Sequence, residues 1–258
     1  MENVYIQNRK GLRMALRLSV NKEYKKLAFL IHGLSSRKEY PHMLVMEEVL
    51  FKHGYNVVNI DATNSLNASE SSEEGITFTG HYEDLEDAIK WAKKQEFYVE
   101  PFALGGQSLG AQAVTLYAGN YPEQVDFLLS ITFCWIDGEK EVAQNKRTES
   151  IRKFGFYDQV SKSTGKILRI NKNYLDDIES YNLTSVIKNI TAESHIIVGN
   201  LDSLWHIENC KMFYELLRCK KGLKQLKDVP HDLANTPETK RIFTKELEKI
   251  LEGRESCK

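Results

Sequence analysis

Five residues constrain this chain more than any others: Gly106-Gln107-Ser108-Leu109-Gly110. They stand between an apolar run, Phe102 to Gly105, and the small-residue stretch Ala111 to Asn120. That order predicts a strand, a sharp turn and a helix, with the serine at the tip of the turn. The glycines follow from space, since a side chain two residues either side of the tip would collide with the neighbouring strand and helix. Serine oxygen is a weak nucleophile at its own pKa, so it needs a base within reach. The helix beyond Ser108 turns its positive end toward any anion developing there.

The flanking sequence supports such a turn. Val4 to Asn8 and Leu12 to Val20 read as a hairpin around Arg9-Lys10-Gly11. Further strands are predicted at Leu27–Ile31, Tyr55–Ile60, Phe102–Gly105, Val125–Cys134, His195–Val198 and Leu223–Val229. Helices are predicted at His42–His53, Tyr82–Lys94, Gly110–Asn120, 206–217 and Thr236–Leu251. Alternation of this kind argues a mostly parallel sheet covered by helices on both faces. Residues 62–78 are short on apolar side chains and read as a solvated loop. The rhythm breaks between Trp135 and Ile190, where ten Lys/Arg and eight Asp/Glu mix with scattered aromatics. That stretch reads as an insertion between two core strands.

Composition removes several classes. With 41% hydrophobic and 28% charged residues, the 258-residue chain can bury a core. A net charge of −1 lacks the basic excess of a nucleic-acid binder. No apolar run approaches the roughly 18 residues of a membrane span. The N-terminus has no charged start followed by an apolar stretch, so no secretory signal is visible, and a cytoplasmic location is expected. The four cysteines, Cys134, Cys210, Cys219 and Cys257, form no C-x-x-C pair and are expected to be reduced.

Partners for Ser108 stand at the ends of predicted strands. His32-Gly33-Leu34-Ser35 follows the first buried strand. A turn there can aim the Leu34 N–H, with the Leu109 N–H, at an oxyanion, while His32 itself reads as a structural residue bonding nearby backbone. His231, in Val229-Pro230-His231-Asp232, follows the last strand, where sites in such sheets form. Asp202, in Gly199-Asn200-Leu201-Asp202, follows the strand before it. An orienting carboxylate fixes the imidazole tautomer and stabilises the imidazolium. His206 reads as a helix start and His81 as a surface or capping residue. Asp228 and Asp232 are too close along the chain to face the His231 ring easily.

Taken together, His32-Gly33, GQSLG at 106–110, GNLD at 199–202 and PHD at 230–232 resemble the α/β-hydrolase superfamily. The resemblance implies an eight-stranded, mostly parallel sheet with flanking helices. Its core would span 1–134 and 191–258, and residues 135–190 would form a lid. The lid segment Gly165 to Ile170, with Tyr174 and Ile178 to Leu183, is similar to the short hairpin lid of bacterial cinnamoyl/feruloyl-type esterases. A second likeness is to the serine aminopeptidase-like branch that includes monoacylglycerol lipases. The implied activity is carboxylic-ester hydrolysis by Ser108, Asp202 and His231 through an acyl-enzyme, with a small-molecule substrate and no metal or cofactor. A thioesterase or peptidase would use the same three residues, and a non-catalytic ligand-binding protein could use the same scaffold. Trp135, Tyr157 and Tyr174 are the lid's pocket candidates. Monomer and homodimer are left open.

Overall fold

Leu27 to Ile31 are buried along their whole length, and alternate residues enter different layers. Leu27, Phe29 and Ile31 join one core, while Ala28 and Leu30 join another on the opposite face. A strand that must be apolar on both faces belongs inside a covered sheet. Each buried Leu or Phe contributes about 1.5–3 kcal/mol relative to exposure. The computed structural model that shows this describes residues 1–133, 146–161, 165–204 and 207–256.

The main sheet has eight strands: β1 (Glu2–Gln7), β2 (Arg13–Ser19), β3 (Lys26–Ile31), β4 (Tyr55–Asp61), β5 (Phe102–Gln107), β6 (Val125–Ile131), β9 (Glu193–Gly199) and β10 (Lys221–Leu226). Their spatial order is β1-β2-β4-β3-β5-β6-β9-β10. Only β2 runs against the others, pairing antiparallel with both β1 and β4. The chain leaves β3 toward β4 on one side and returns to β5 on the other. The crevice at their carboxyl ends is therefore the switch point where α/β sheets bind ligands.

Helix α1 (Pro41–Lys52) covers one face together with the long terminal helix, α8 (Pro237–Glu255). Met43, Met46 and Leu50 meet Phe243, Leu247 and Leu251 in that core. Helices α2 (Phe78–Ala92), α3 (Leu109–Asn120) and α7 (Ile207–Leu216) cover the other face. Thr77 caps α2 by accepting the Gly80 N–H at 3.0 Å. Thr236 and Thr239 form a reciprocal capping box on α8, with Pro237 in its first turn.

The segment between β6 and β9 is more ordered than its composition suggests. It holds α4 (Lys146–Phe154), an antiparallel hairpin of β7 (Phe156–Val160) and β8 (Ile167–Asn171), then α5 (Lys172–Glu179) and α6 (Thr184–Ile187). Ile151, Ile170, Leu175 and Ile178 are buried in the α2/α3 core. The Thr79 N–H donates to Asp177 at 2.8 Å, and the Thr79 hydroxyl lies 2.7 Å from the Tyr181 hydroxyl.

Three expectations change. The 62–78 loop is not freely solvated: Thr63, Asn64, Ser65 and Ser69 are buried. Its burial is polar, because Asp61 accepts the Ala68 and Ser69 N–H groups and Asn64 accepts the Ser72 N–H. Cys210 is disulfide-bonded rather than reduced, while Cys219 is free. His81 is neither at the surface nor a cap. It is 2% exposed within α2. Among the described residues, no helix is long and apolar enough to cross a membrane.

Candidate active site

Ser108 sits between β5 and α3 with φ 52° and ψ −115°, a conformation strained for any residue but glycine. The neighbouring glycines make it possible. A Cβ on Gly106 would run into the Gly110 carbonyl, and one on Gly110 would run into the Ile31 and His32 carbonyls. The turn is also pinned by hydrogen bonds: the Ser108 N–H donates to Ile131 O at 2.9 Å, and Ser108 O accepts the Gln112 N–H at 3.2 Å.

Asp202 and His231 arrive from β9 and β10 and meet. The His231 Nδ1–H donates to Asp202 Oδ2 at 2.8 Å, with the Asp202 carboxylate fully buried. Asp202 Oδ1 accepts the Leu204 N–H at 2.8 Å, which fixes the carboxylate's rotation. The loops that carry the pair are bonded to each other. Leu201 N–H donates to Val229 O at 3.0 Å, and Asn200 Oδ1 accepts the Asp228 N–H at 2.6 Å.

His231 and Ser108 line one cavity of about 120 Å³, with Leu34, Ser35, Ser36, Tyr40, Gln107, Arg147, Gln159, Leu204 and Asp232. Among the described residues no hydrogen bond joins Ser108 Oγ to His231. Instead the Gln107 side-chain amide donates to His231 Nε2 at 3.1 Å and to Thr132 Oγ1 at 3.0 Å. Nε2 thus accepts, Nδ1 carries the proton, and the ring holds the tautomer that a base needs. Sequence reasoning missed Gln107, which occupies the unspecified second position of the motif.

Leu34 lines this cavity and Leu109 follows Ser108, and no hydrogen bond from either N–H is found among the described residues. Leu109 is the first residue of α3, where helix N–H groups lack intrahelical acceptors. The turn bearing Leu34 is held from behind by histidines. His32 Nε2 accepts the Ala62 N–H at 3.0 Å, so its Nδ1–H donates to Gly33 O at 2.8 Å. The His81 Nε2–H donates to His32 O at 2.7 Å. Burial drives the His81 pKa down to about 3, so it is a neutral strut. Burial opposes ionisation of Asp61, but the charge of Lys38 and the hydrogen bond from the Lys38 N–H at 3.2 Å help hold it below the usual carboxylate range.

The other pocket candidates divide. Tyr174 is buried and Tyr157 half-buried, and neither lines the cavity. Trp135 and His206 lie outside the described residues. Asp232 lines the cavity but does not partner the His231 ring. Besides Gln107, the lining residues that sequence reasoning did not pick are Ser35, Ser36, Tyr40, Arg147, Gln159 and Leu204.

A strained serine, a tautomer-fixed imidazole on a buried carboxylate, and two unpaired N–H groups can together add an oxygen nucleophile to a carbonyl. A family model described as the alpha/beta hydrolase fold matches residues 29–171. Among solved structures, Est1E from Butyrivibrio proteoclasticus with ferulic acid bound is similar with a TM-score of 0.83. It shares 18% identity over 98% of this chain and 99% of that one. Mouse alpha/beta hydrolase domain-containing protein 10 is similar with a TM-score of 0.77 at 14% identity, over 98% of this chain and 99% of that one. The esterase domain of a Rhodothermus marinus protein reaches a TM-score of 0.68 at 22% identity, over 97% and 98% of the two chains. At these identities the likeness speaks to fold. No curated protein matches by sequence.

Proposed function

The chain belongs to the alpha/beta hydrolase family, and on that premise we propose that it is a serine hydrolase that cleaves carboxylic esters with Ser108, His231 and Asp202. The observation that carries this is the 2.8 Å His231–Asp202 hydrogen bond at a cavity that Ser108 also lines. The Rhodothermus marinus structure is an esterase domain by name and the Est1E structure holds ferulic acid, which supports an ester as the substrate class.

In the resting arrangement His231 Nε2 is paired with the Gln107 amide. For catalysis the ring exchanges that partner for the Ser108 hydroxyl. Nε2 takes the Ser108 proton as Oγ adds to the carbonyl carbon. The Leu34 and Leu109 N–H groups hold the oxyanion, an arrangement in which one donor is typically worth about 2.7–4 kcal/mol of barrier. The imidazolium, balanced by Asp202, then protonates the departing alcohol. Water activated by the same nitrogen releases the acid from the acyl-enzyme. Residues 135–190 act as a lid, a reading supported by Arg147 and Gln159 lining the cavity.

The test is a panel of p-nitrophenyl esters from acetate to palmitate, with methyl ferulate and an acyl thioester alongside. Wild type is compared with Ser108→Ala, and both are treated with a fluorophosphonate. Turnover and labelling are expected in wild type and absent from the variant. Full activity in Ser108→Ala sinks the proposal, and turnover of the thioester alone moves it to the thioesterase alternative.

A further inference from the structure

Arg147 is an unusual residue to find beside a serine nucleophile. It comes from α4, it lines the same cavity as Ser108, and its Nε is buried with no hydrogen-bond partner among the described residues. Its Nη2 donates to Gln159 Oε1 at 2.8 Å, and its charge acts on the buried Tyr174 hydroxyl. Both neighbours are neutral. Among the described residues, no carboxylate lies within ion-pair distance of the guanidinium, whereas Arg152 and Arg169 on the same segment are each paired, with Glu179 and Asp158. A guanidinium stays charged at any physiological pH, so a partly buried one without a counter-charge is costly unless a ligand supplies it.

Two further orphans stand in the same cavity. Ser35 and Ser36 are each 7% exposed, and among the described residues neither Oγ has a partner. Ser35 has φ 59°, a left-handed conformation that a serine adopts only where the turn demands it. Buried hydroxyls without partners are rare and ask for an explanation. Three unmet donors from two separate segments, the β3–α1 turn and α4, thus belong to residues that line one small cavity. Asp232, the residue after His231, also lines the cavity.

We infer that the substrate is a small ester bearing a carboxylate, bound by Arg147 with the Ser35 and Ser36 hydroxyls, while its ester carbonyl faces Ser108. This inference rests on the serine-hydrolase reading above. The guanidinium fork suits a planar carboxylate, to which it can donate two parallel hydrogen bonds. A short polar group fits a cavity of about 120 Å³. The acid can sit on either side of the scissile bond, and the test separates the two.

The experiment uses the full chain and two matched pairs of esters. The acyl-side pair is the p-nitrophenyl monoester of succinic acid against p-nitrophenyl valerate. The alcohol-side pair is 4-carboxyphenyl butyrate against its neutral methyl ester. The expected result is a kcat/KM preference for the acid of at least about ten-fold in one pair, carried mostly by KM, as charged hydrogen bonds warrant. In Arg147→Met the ratio falls toward one, and Arg147→Lys restores part of it. A cooperative thermal melt checks that each variant is folded, and the wild-type panel decides the matter if Arg147→Met is not. Fluorophosphonate-labelled wild type with no preference in either pair overturns this inference alone, as does an unchanged ratio in folded Arg147→Met. Wild type that neither labels nor hydrolyses any ester overturns the serine reading and this one with it.

Discussion

Gly199 lies against Val229 so closely that a Cβ on it would run into the Val229 carbonyl. That approach is what brings the Asp202 loop and the His231 loop together, and the Leu201 N–H bond to the same carbonyl, at 3.0 Å, locks it. Gly199→Ala must push the two loops apart. Overpacking of this kind costs roughly 1–3 kcal/mol of stability. A displacement of about 1 Å in a catalytic group costs on the order of 100-fold in rate. The variant is therefore expected to remain folded with a lowered melting temperature and to lose far more activity than stability. Steady-state kinetics beside a thermal melt checks this, and wild-type kcat in the variant would show that the close approach does not position the pair.

Asp202→Asn isolates the electrostatic part of the same relationship. The asparagine can keep the shape, but its amide favours the wrong imidazole tautomer and leaves the imidazolium without a counter-charge. The expected loss is about 10⁴-fold in kcat with KM little changed. A loss confined to KM would contradict the role given to this carboxylate.

The parts of this site that were legible in the sequence are those in which the backbone forces a residue type. Gly106 and Gly110 have no room for a side chain, so the strained turn at Ser108 is written in the chain. His32-Gly33, Asp202 and His231 were legible because each closes a predicted strand at the same end of the sheet. Gln107 was not, since the motif leaves its position open and only the folded chain shows its amide on His231. Arg147 was not either, being one cation among ten in a segment with no period. The buried 62–78 loop escaped for a different reason: its burial is sustained by Asp61 and Asn64 accepting backbone N–H groups, which leaves no apolar pattern to read. His81, on the buried side of α2, could have been suspected from its helical spacing with Leu85 and Ile89.

The Gln107 amide competes with Ser108 for one nitrogen. A neutral hydrogen bond of this kind has a net worth of about 1 kcal/mol, so Gln107→Ala is expected to speed labelling of Ser108 by roughly two- to five-fold. The rate of fluorophosphonate labelling, measured under single-turnover conditions, reads this directly. Slower labelling would mean that Gln107 orients the ring for the reaction and does not withhold it.

Stability should respond to acid through two buried histidines outside the proposed catalytic set. Burial drives both His42 and His81 from the ordinary 6.5 down to about 3. Unfolding frees them to take protons near 6.5, so the unfolded state binds more protons between about 6.5 and 3. Stability present above 6.5 is then lost as pH falls through that window. Asp84 acts in the opposite sense. Burial raises it from 3.8 to about 6, so the folded state binds its proton first and stability rises as pH falls between those values. Two histidines with wider shifts outweigh one carboxylate, and the melting temperature should fall on acidification. His42 offers the cleaner test, because neither ring nitrogen has a hydrogen-bond partner among the described residues. Replacing a buried polar group that makes no hydrogen bond with an apolar one of similar size removes an unmet desolvation cost of roughly 1–3 kcal/mol. His42→Leu is therefore expected to raise the melting temperature at neutral pH and to flatten its decline below pH 6.5. Melting curves at half-unit pH steps would show it. An acid limb as steep as wild type would mean that His42 does not titrate on unfolding in this window.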